Sequence, residues 1–209
     1  MTKARLDQDF WEQLWSTTLR EQADKVARRP PNAHLIAEAA NLPPGRALDA
    51  GCGHGADTLW LARRGWQVTA VDFSGAAVAY ARTMAEISGV DIAKRINWLE
   101  RDLATWTVEP RYYDLVVCIY VHVTSSVEAM VDRMANSVAP GGTLLLVGHC
   151  PIDPSSGAST AAANQVQVSV EEAIAVLDAR AWEIVVAEER PRAAAGTGVD
   201  AVICARRRS

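Results

Sequence analysis

Two hydrophobic patterns alternate along the chain. Short segments at 47–50, 67–72, 95–101, 112–119, 143–148, 182–190 and 199–205 read as strands, bounded by turn residues. The near-continuous apolar run at 112–119, with its β-branched residues, predicts a central parallel strand buried on both faces. Between them lie stretches whose apolar positions recur every three or four residues, the period of one helix face. Phe10, Trp11, Leu14, Trp15 and Leu19 form such a stripe behind an Asp9-x-x-Glu12 start. Asn32 opens a second helix through Ala40, and residues 56–64 make a third. Ser74 caps a fourth to about Ser88; residues 127–138 form a fifth, turning Met130, Val131, Met134 and Val138 inward. Ser169-x-x-Glu172 is a capping box for a sixth over 170–180. Strands alternating with helices, then two strands close in sequence, predict an α/β fold. Its sheet is mostly parallel, with an antiparallel pair at the C-terminal end.

A chain of 209 residues, 49% hydrophobic and 22% charged, is enough for one globular α/β domain with a full core. A net charge of −4 argues against general nucleic-acid binding, which favours a basic surface. Arg206-Arg207-Arg208 reads as a solvated tail. Cys52, Cys118, Cys150 and Cys204 have no zinc spacing and no CxxC pair, so buried free thiols are expected. No signal peptide and no apolar run of membrane-spanning length are visible. These features predict a cytoplasmic protein that is not membrane-bound. Residues 150–168, rich in small residues, form a long loop of the kind that is usually functional or disordered.

The candidate chemistry begins at residues 46–57. An apolar run ends in Gly51-Cys52-Gly53-His54-Gly55, and helix-forming residues follow. Glycines permit a tight turn and close approach of a ligand. The next strand ends in Asp72, about 20 residues on, where a carboxylate accepts hydrogen bonds from ribose hydroxyls. The unit therefore reads as a nucleoside-binding turn, with an ordinary glycine-rich βαβ crossover as the plain alternative. Asp49, two residues before Gly51, would repel a pyrophosphate but suits a cationic amino-acid moiety.

Leu48-Asp-Ala-Gly-Cys-Gly-His-Gly55 resembles the first motif of the class I S-adenosylmethionine (SAM)-dependent methyltransferases. Phe10-Trp-Glu-Gln-Leu-Trp15 resembles the opening of their small-molecule members of the thiopurine and tellurite-resistance type, with Trp15 where a Tyr is usual. Ala-Pro-Gly-Gly142 before an apolar strand is another shared feature. The resemblance covers about residues 9–206. It implies a Rossmann-like three-layer sandwich with a seven-stranded, mostly parallel sheet and one antiparallel strand at the C-terminal hairpin. The chain would be a single domain, 1–209, with an N-terminal helical lid over 1–42 and a core over 43–209. The cofactor would be SAM and the product S-adenosylhomocysteine. Asp49, Gly51, Cys52, Gly53 and His54 would hold it from the turn, and Trp11 and Trp15 from the lid. Asp72 would bind the ribose and Phe73 would pack on the adenine. Asp102 and the Leu103 N–H would bind the adenine edge, and the methyl group would project near Cys118.

Transfer from a sulfonium is a direct in-line displacement that needs close approach and exclusion of water. An acceptor that carries a proton at neutral pH benefits from a base. His122 and His149 fall just past strand ends and are the catalytic candidates. For each, the plain alternative is a histidine bonded to a backbone carbonyl. Phe10 and Tyr120 join them as candidate substrate contacts. The fourth strand ends Val-Cys-Ile-Tyr-Val, without the Pro-Pro-aromatic motif of many enzymes that methylate nucleic-acid bases or glutamine. A small aromatic or heteroaromatic O, N or S acceptor is the expected partner, for a monomer or homodimer. The rival readings are a SAM-binding protein without catalysis and an NAD(P)-dependent oxidoreductase. No metal is expected.

Overall fold

A computed structural model describes residues 7–122, 126–150, 168–191 and 198–209. Most of the 150–168 loop and of the connection after Pro191 lies outside the described residues. The chain divides into two compact units at Trp106 and Thr107.

The first unit carries α1 (Gln8–Ala27), α2 (Ala33–Ala39), β1 (Arg46–Ala50), α3 (Ala56–Arg63), β2 (Gln67–Asp72), α4 (Gly75–Ser88), α5 (Val90–Ala93) and β3 (Ile96–Glu100). β2 lies between β1 and β3, and both pairings are parallel. Leu35, Leu48, Leu61, Trp66 and Val71 are fully buried around this sheet. Asn32 caps α2 by accepting from the His34 N–H, and Ser74 caps α4 by accepting from Ala77, as the sequence predicts. The aromatic stripe of α1 is not core: Val26 alone is buried on this helix, and Phe10 and Leu14 are exposed. The helix is held by polar contacts and by the packing of Trp15, described below.

The second unit carries β4 (Tyr113–Ile119), α6 (Val127–Ser137), β5 (Val138–His149), α7 (Val170–Ala175), β6 (Trp182–Pro191) and β7 (Val199–Arg207). β4 and β5 are parallel, while β7 runs antiparallel to both β5 and β6. Among the described residues of this unit, β7 is thus the reversed strand. Seven strands with a reversed strand at the C-terminal hairpin is the architecture expected. α6 buries Met130, Val131 and Met134.

Three boundaries differ from the sequence reading. β5 starts at Val138 rather than at Thr143, because Pro140-Gly141-Gly142 forms an irregularity within the strand. There the register with β4 shifts between Tyr113 and Leu115, and Gly141 takes a φ of 76°. α7 stops at Ala175, and the Asp178 carbonyl then accepts from the Ala181 and Trp182 amides in a turn that leads into β6. Arg207 is no solvated tail: it lies in β7, and its Nη1 donates to the carbonyls of Ala135 and Val138.

Candidate functional site

The glycine turn in the first unit is built by backbone geometry. Gly51, Gly53 and Gly55 adopt φ of 82°, 49° and 83°, a region that favours glycine. A Cβ on Gly55 would stand 2.7 Å from the Ala81 Cβ and 3.2 Å from the Trp98 ring, so α3 approaches α4 and β3 only through this glycine. The Gly51 and Cys52 amides both donate to the Val71 carbonyl, Gly55 donates to Cys52, and Gly53 donates to the Asp72 carboxylate. The turn thus spends these four amides on itself and on β2.

Two acids flank the turn. Asp49, on β1, is buried and accepts from the Thr58 hydroxyl. Its pKa is raised, first by burial and then by the charge of Asp57; Asp72 adds to the rise. Asp57 is itself raised by burial, against a hydrogen bond from the Asn32 amide at 2.7 Å. Asp72, at the end of β2, accepts from Gly53 on one oxygen and from Ser74 on the other, each at 2.9 Å. Burial raises its pKa against these bonds. Each oxygen of a carboxylate has a second lone pair, so Asp72 keeps capacity for a ligand hydroxyl. Two buried carboxylates, with the half-buried Asp57 beside them, favour a cation or a proton at this spot. Cys52 is buried, and burial pushes its thiol well above the usual range.

α1 lies over the same turn. The Trp15 ring reaches the outer face of Gly53: a Cβ there would stand 3.0 Å from Trp15 Cζ2. Trp15 also stacks on His54, with centroids 5.8 Å apart. His54 is held neutral, its pKa lowered to about 4 by burial and then by Arg29. Its buried Nε2 has no hydrogen-bond partner among the described residues. The Gln8 side chain donates to the Phe73 carbonyl at 2.9 Å, and Glu12 accepts from the Ser74 hydroxyl and the Ala76 amide. Trp11 is half-buried and packs edge-on against Phe10.

Asp102 and Leu103 lie past the end of β3. Asp102 is exposed and accepts from the Ala104 amide at 2.8 Å, while its carbonyl accepts from Thr105 and Trp106. Leu103 is buried. In the strand register it is Glu100, not Asp102, that pairs with Asp72.

The second unit gathers Tyr120, His122 and His149, and adds a residue the sequence reading passed over. Asp200, fully buried on β7, sits opposite His149 in the antiparallel register with β5. The Tyr120 hydroxyl donates to Asp200 Oδ2 at 2.6 Å, and His149 Nδ1 stands 3.5 Å from Oδ1. Tyr120 stacks on the His149 ring at 4.4 Å and 16°. Its φ of 52° is a strained conformation for a bulky residue, and its amide N–H donates to the Val147 carbonyl at 2.9 Å. His122 lies 6.3 Å from His149, ring to ring, and its pKa is lowered to about 4 by burial first and by the neighbouring His149 second. Cys118 is buried at the end of β4. One signal for Asp200 was present: a lone acid in the apolar run Val199-Asp-Ala-Val-Ile-Cys204 is charge expected to be paired. All four cysteines are buried, as predicted.

A family model described as a methyltransferase domain matches residues 47–142. The chain is 36% identical over 122 residues to the ubiquinone biosynthesis O-methyltransferase of Xanthomonas campestris, covering 57% of this chain and 49% of that protein. It is 32% identical over 152 residues to probable thiol methyltransferase 2 of Arabidopsis thaliana, covering 70% and 64%. The chain thus spans about half the length of the first of these relatives and under two thirds of the second. Among solved structures, the [4+2]-cyclase SpnF shares the fold, with a TM-score of 0.71 at 17% identity over 94% of this chain and 96% of that one. Among the described residues no helix is long and apolar enough to cross a membrane, and no group of side chains forms a metal site.

Proposed function

We propose that this chain, which belongs to the class I S-adenosylmethionine-dependent methyltransferases, transfers the methyl group of SAM to a small organic acceptor by direct displacement. One observation supports this reading most: the buried carboxylates of Asp49 and Asp72 flank a turn in which the amides of Gly51, Cys52, Gly53 and Gly55 are already engaged. A dinucleotide pyrophosphate needs free amides and repels carboxylates. SAM brings an ammonium and a sulfonium against one carboxylate, so the acids suit it. When bound, it supplies an electrophilic methyl carbon.

The chain's residues divide the work. Asp49 faces the cationic end through its buried position, and Asp72 offers its remaining lone pairs to the ribose. Trp11 and Trp15 exclude water from above the turn, and Phe73, Asp102 and Leu103 are assigned to the adenine. His149 takes the acceptor's proton, with His122 and Tyr120 beside it. The acceptor is a small aromatic or heteroaromatic molecule with O, N or S as the methylated atom.

A second reading is SAM binding without methyl transfer. The fold likeness to a cyclase favours keeping it, since the fold does not fix the chemistry.

Calorimetric titration tests the cofactor assignment. SAM and S-adenosylhomocysteine should bind the wild type, and NAD should not; Asp72→Ala should lose both sulfur ligands. Binding of NAD alone overturns the reading. Formation of S-adenosylhomocysteine with any small acceptor then separates transfer from silent binding.

A further inference from the structure

Tyr120, His149 and Asp200 share one carboxylate. Asp200 is fully buried, accepts from the Tyr120 hydroxyl on Oδ2 and faces His149 Nδ1 with Oδ1. Register fixes this meeting, because β5 and β7 pair His149 with Asp200 directly. Tyr120 in turn sits in a strained φ and stacks on the imidazole face, so the ring is held on its edge by the acid and on its face by the phenol. Strain retained in such a place points to function.

A carboxylate at Nδ1 keeps the proton on that nitrogen, which leaves Nε2 with its lone pair. The same carboxylate stabilises the imidazolium once Nε2 has accepted a proton. The 3.5 Å separation is long for a hydrogen bond, and such contacts tighten when charge develops. His122 and Tyr120 also face His149, and burial holds His122 neutral.

We propose that Asp200 is the positioning residue of His149, and that the pair serves an acceptor that gives up a hydroxyl proton as it is methylated. The acceptor oxygen bonds to the methyl carbon while the carbon–sulfur bond breaks and its electron pair stays on sulfur. The hydroxyl proton passes to His149 Nε2. A thiolate or carboxylate acceptor has no proton to lose and gains nothing from this apparatus; an ordinary phenol or alcohol does. This rests on the transferase reading above and narrows it to O-methylation.

Two measurements test it, and the first needs no cofactor. The ¹⁵N resonances of His149 in the ligand-free protein should report the Nδ1–H tautomer, and Asp200→Asn should shift the ring toward Nε2–H. An Nε2–H tautomer in the wild type, or no change in the variant, overturns the positioning role. The second compares an ordinary phenol with a nitrophenol already ionised at neutral pH. His149→Gln and Asp200→Asn should lower kcat on the phenol by about 100-fold or more, the span of general-base catalysis, and change the nitrophenol rate less than about threefold. Tyr120→Phe, which removes only the hydroxyl, should show the same selectivity at smaller size. Equal losses on both acceptors overturn the base role and mark the cluster as structural. A wild type that methylates neither acceptor overturns the O-methylation assignment, while the tautomer still decides the role of Asp200.

Discussion

The Ser74 hydroxyl donates to the Glu12 carboxylate at 2.6 Å, across 62 residues of sequence. Ser74 is also the N-cap of α4, accepting from the Ala77 amide, and its own amide donates to Asp72. One serine therefore ties the N-terminal helix, the start of α4 and the strand-end acid together. Glu12 also accepts from Ala76 and sits at the positive end of α4, where a carboxylate is favoured. The helix over the glycine turn is anchored by charge as well as by the packing of Trp15 on Gly53 and His54.

Glu12→Ala should release that anchor. A hydrogen bond to a charged group contributes about 1.5–3 kcal/mol. Amide exchange in the first turns of α1 should then quicken by roughly tenfold or more, since about 1.4 kcal/mol is one decade. Exchange in β1 and β2 should stay the same. Hydrogen-exchange mass spectrometry reads both, and unchanged protection across α1 would refute the anchoring.

The glycine turn was legible because its cause is local. Positive φ at Gly51, Gly53 and Gly55 demands glycine within a few residues, and the strand-end acid follows at a fixed interval. The strands and three of the helix caps were legible for the same reason, while α1 is capped by Asp7 rather than started at Asp9. Asn32, Ser74 and Ser169 each cap through a bond spanning two or three residues. The contacts that were missed are long-range. The Tyr120–Asp200 bond spans 80 residues, and whether His149 meets Asp200 depends on the β5–β7 register, which no local pattern states. Glu12 read as a helix-start residue, because the sequence does not reveal that α1 lies across the N-terminus of α4. The aromatic stripe of α1 pointed to either a core face or a cover; the exposure of Phe10 and Leu14 removes the first.

Gly55 and Gly75 should respond oppositely to alanine. At Gly55 the new methyl meets the Ala81 Cβ at 2.7 Å, in a backbone region that costs an L-residue about 1–2 kcal/mol. Overpacking adds about 1–3 kcal/mol, so Gly55→Ala should lower unfolding free energy by about 2–5 kcal/mol in urea titrations. At Gly75 the nearest atom is the Glu100 Oε2 at 3.0 Å, the end of an exposed, flexible side chain that can swing away. Gly75 is the first residue of α4 with an ordinary φ, so Gly75→Ala should be neutral or stabilising by up to about 1 kcal/mol. A Gly55→Ala protein as stable as Gly75→Ala would contradict the close packing of α3 on α4.

Asp49 should make both stability and ligand binding depend on pH. Its folded pKa is raised, chiefly by burial and next by Asp57, above its value in the unfolded chain. The folded state therefore holds the proton more tightly. Its contribution is fully present below the unfolded pKa and is lost as pH rises through the folded one. The ligand-free protein should lose stability across that window, and Asp49→Asn, which can still accept from Thr58, should lose less. A cationic ligand reverses the preference, since positive charge beside the acid favours the carboxylate. Within the same window, SAM binding should release a proton from the wild type. Titration calorimetry in buffers of differing ionisation enthalpy measures that release, and it should shrink in Asp49→Asn. Proton uptake, or equal release in both proteins, would mean that Asp49 does not face the cationic end of the cofactor.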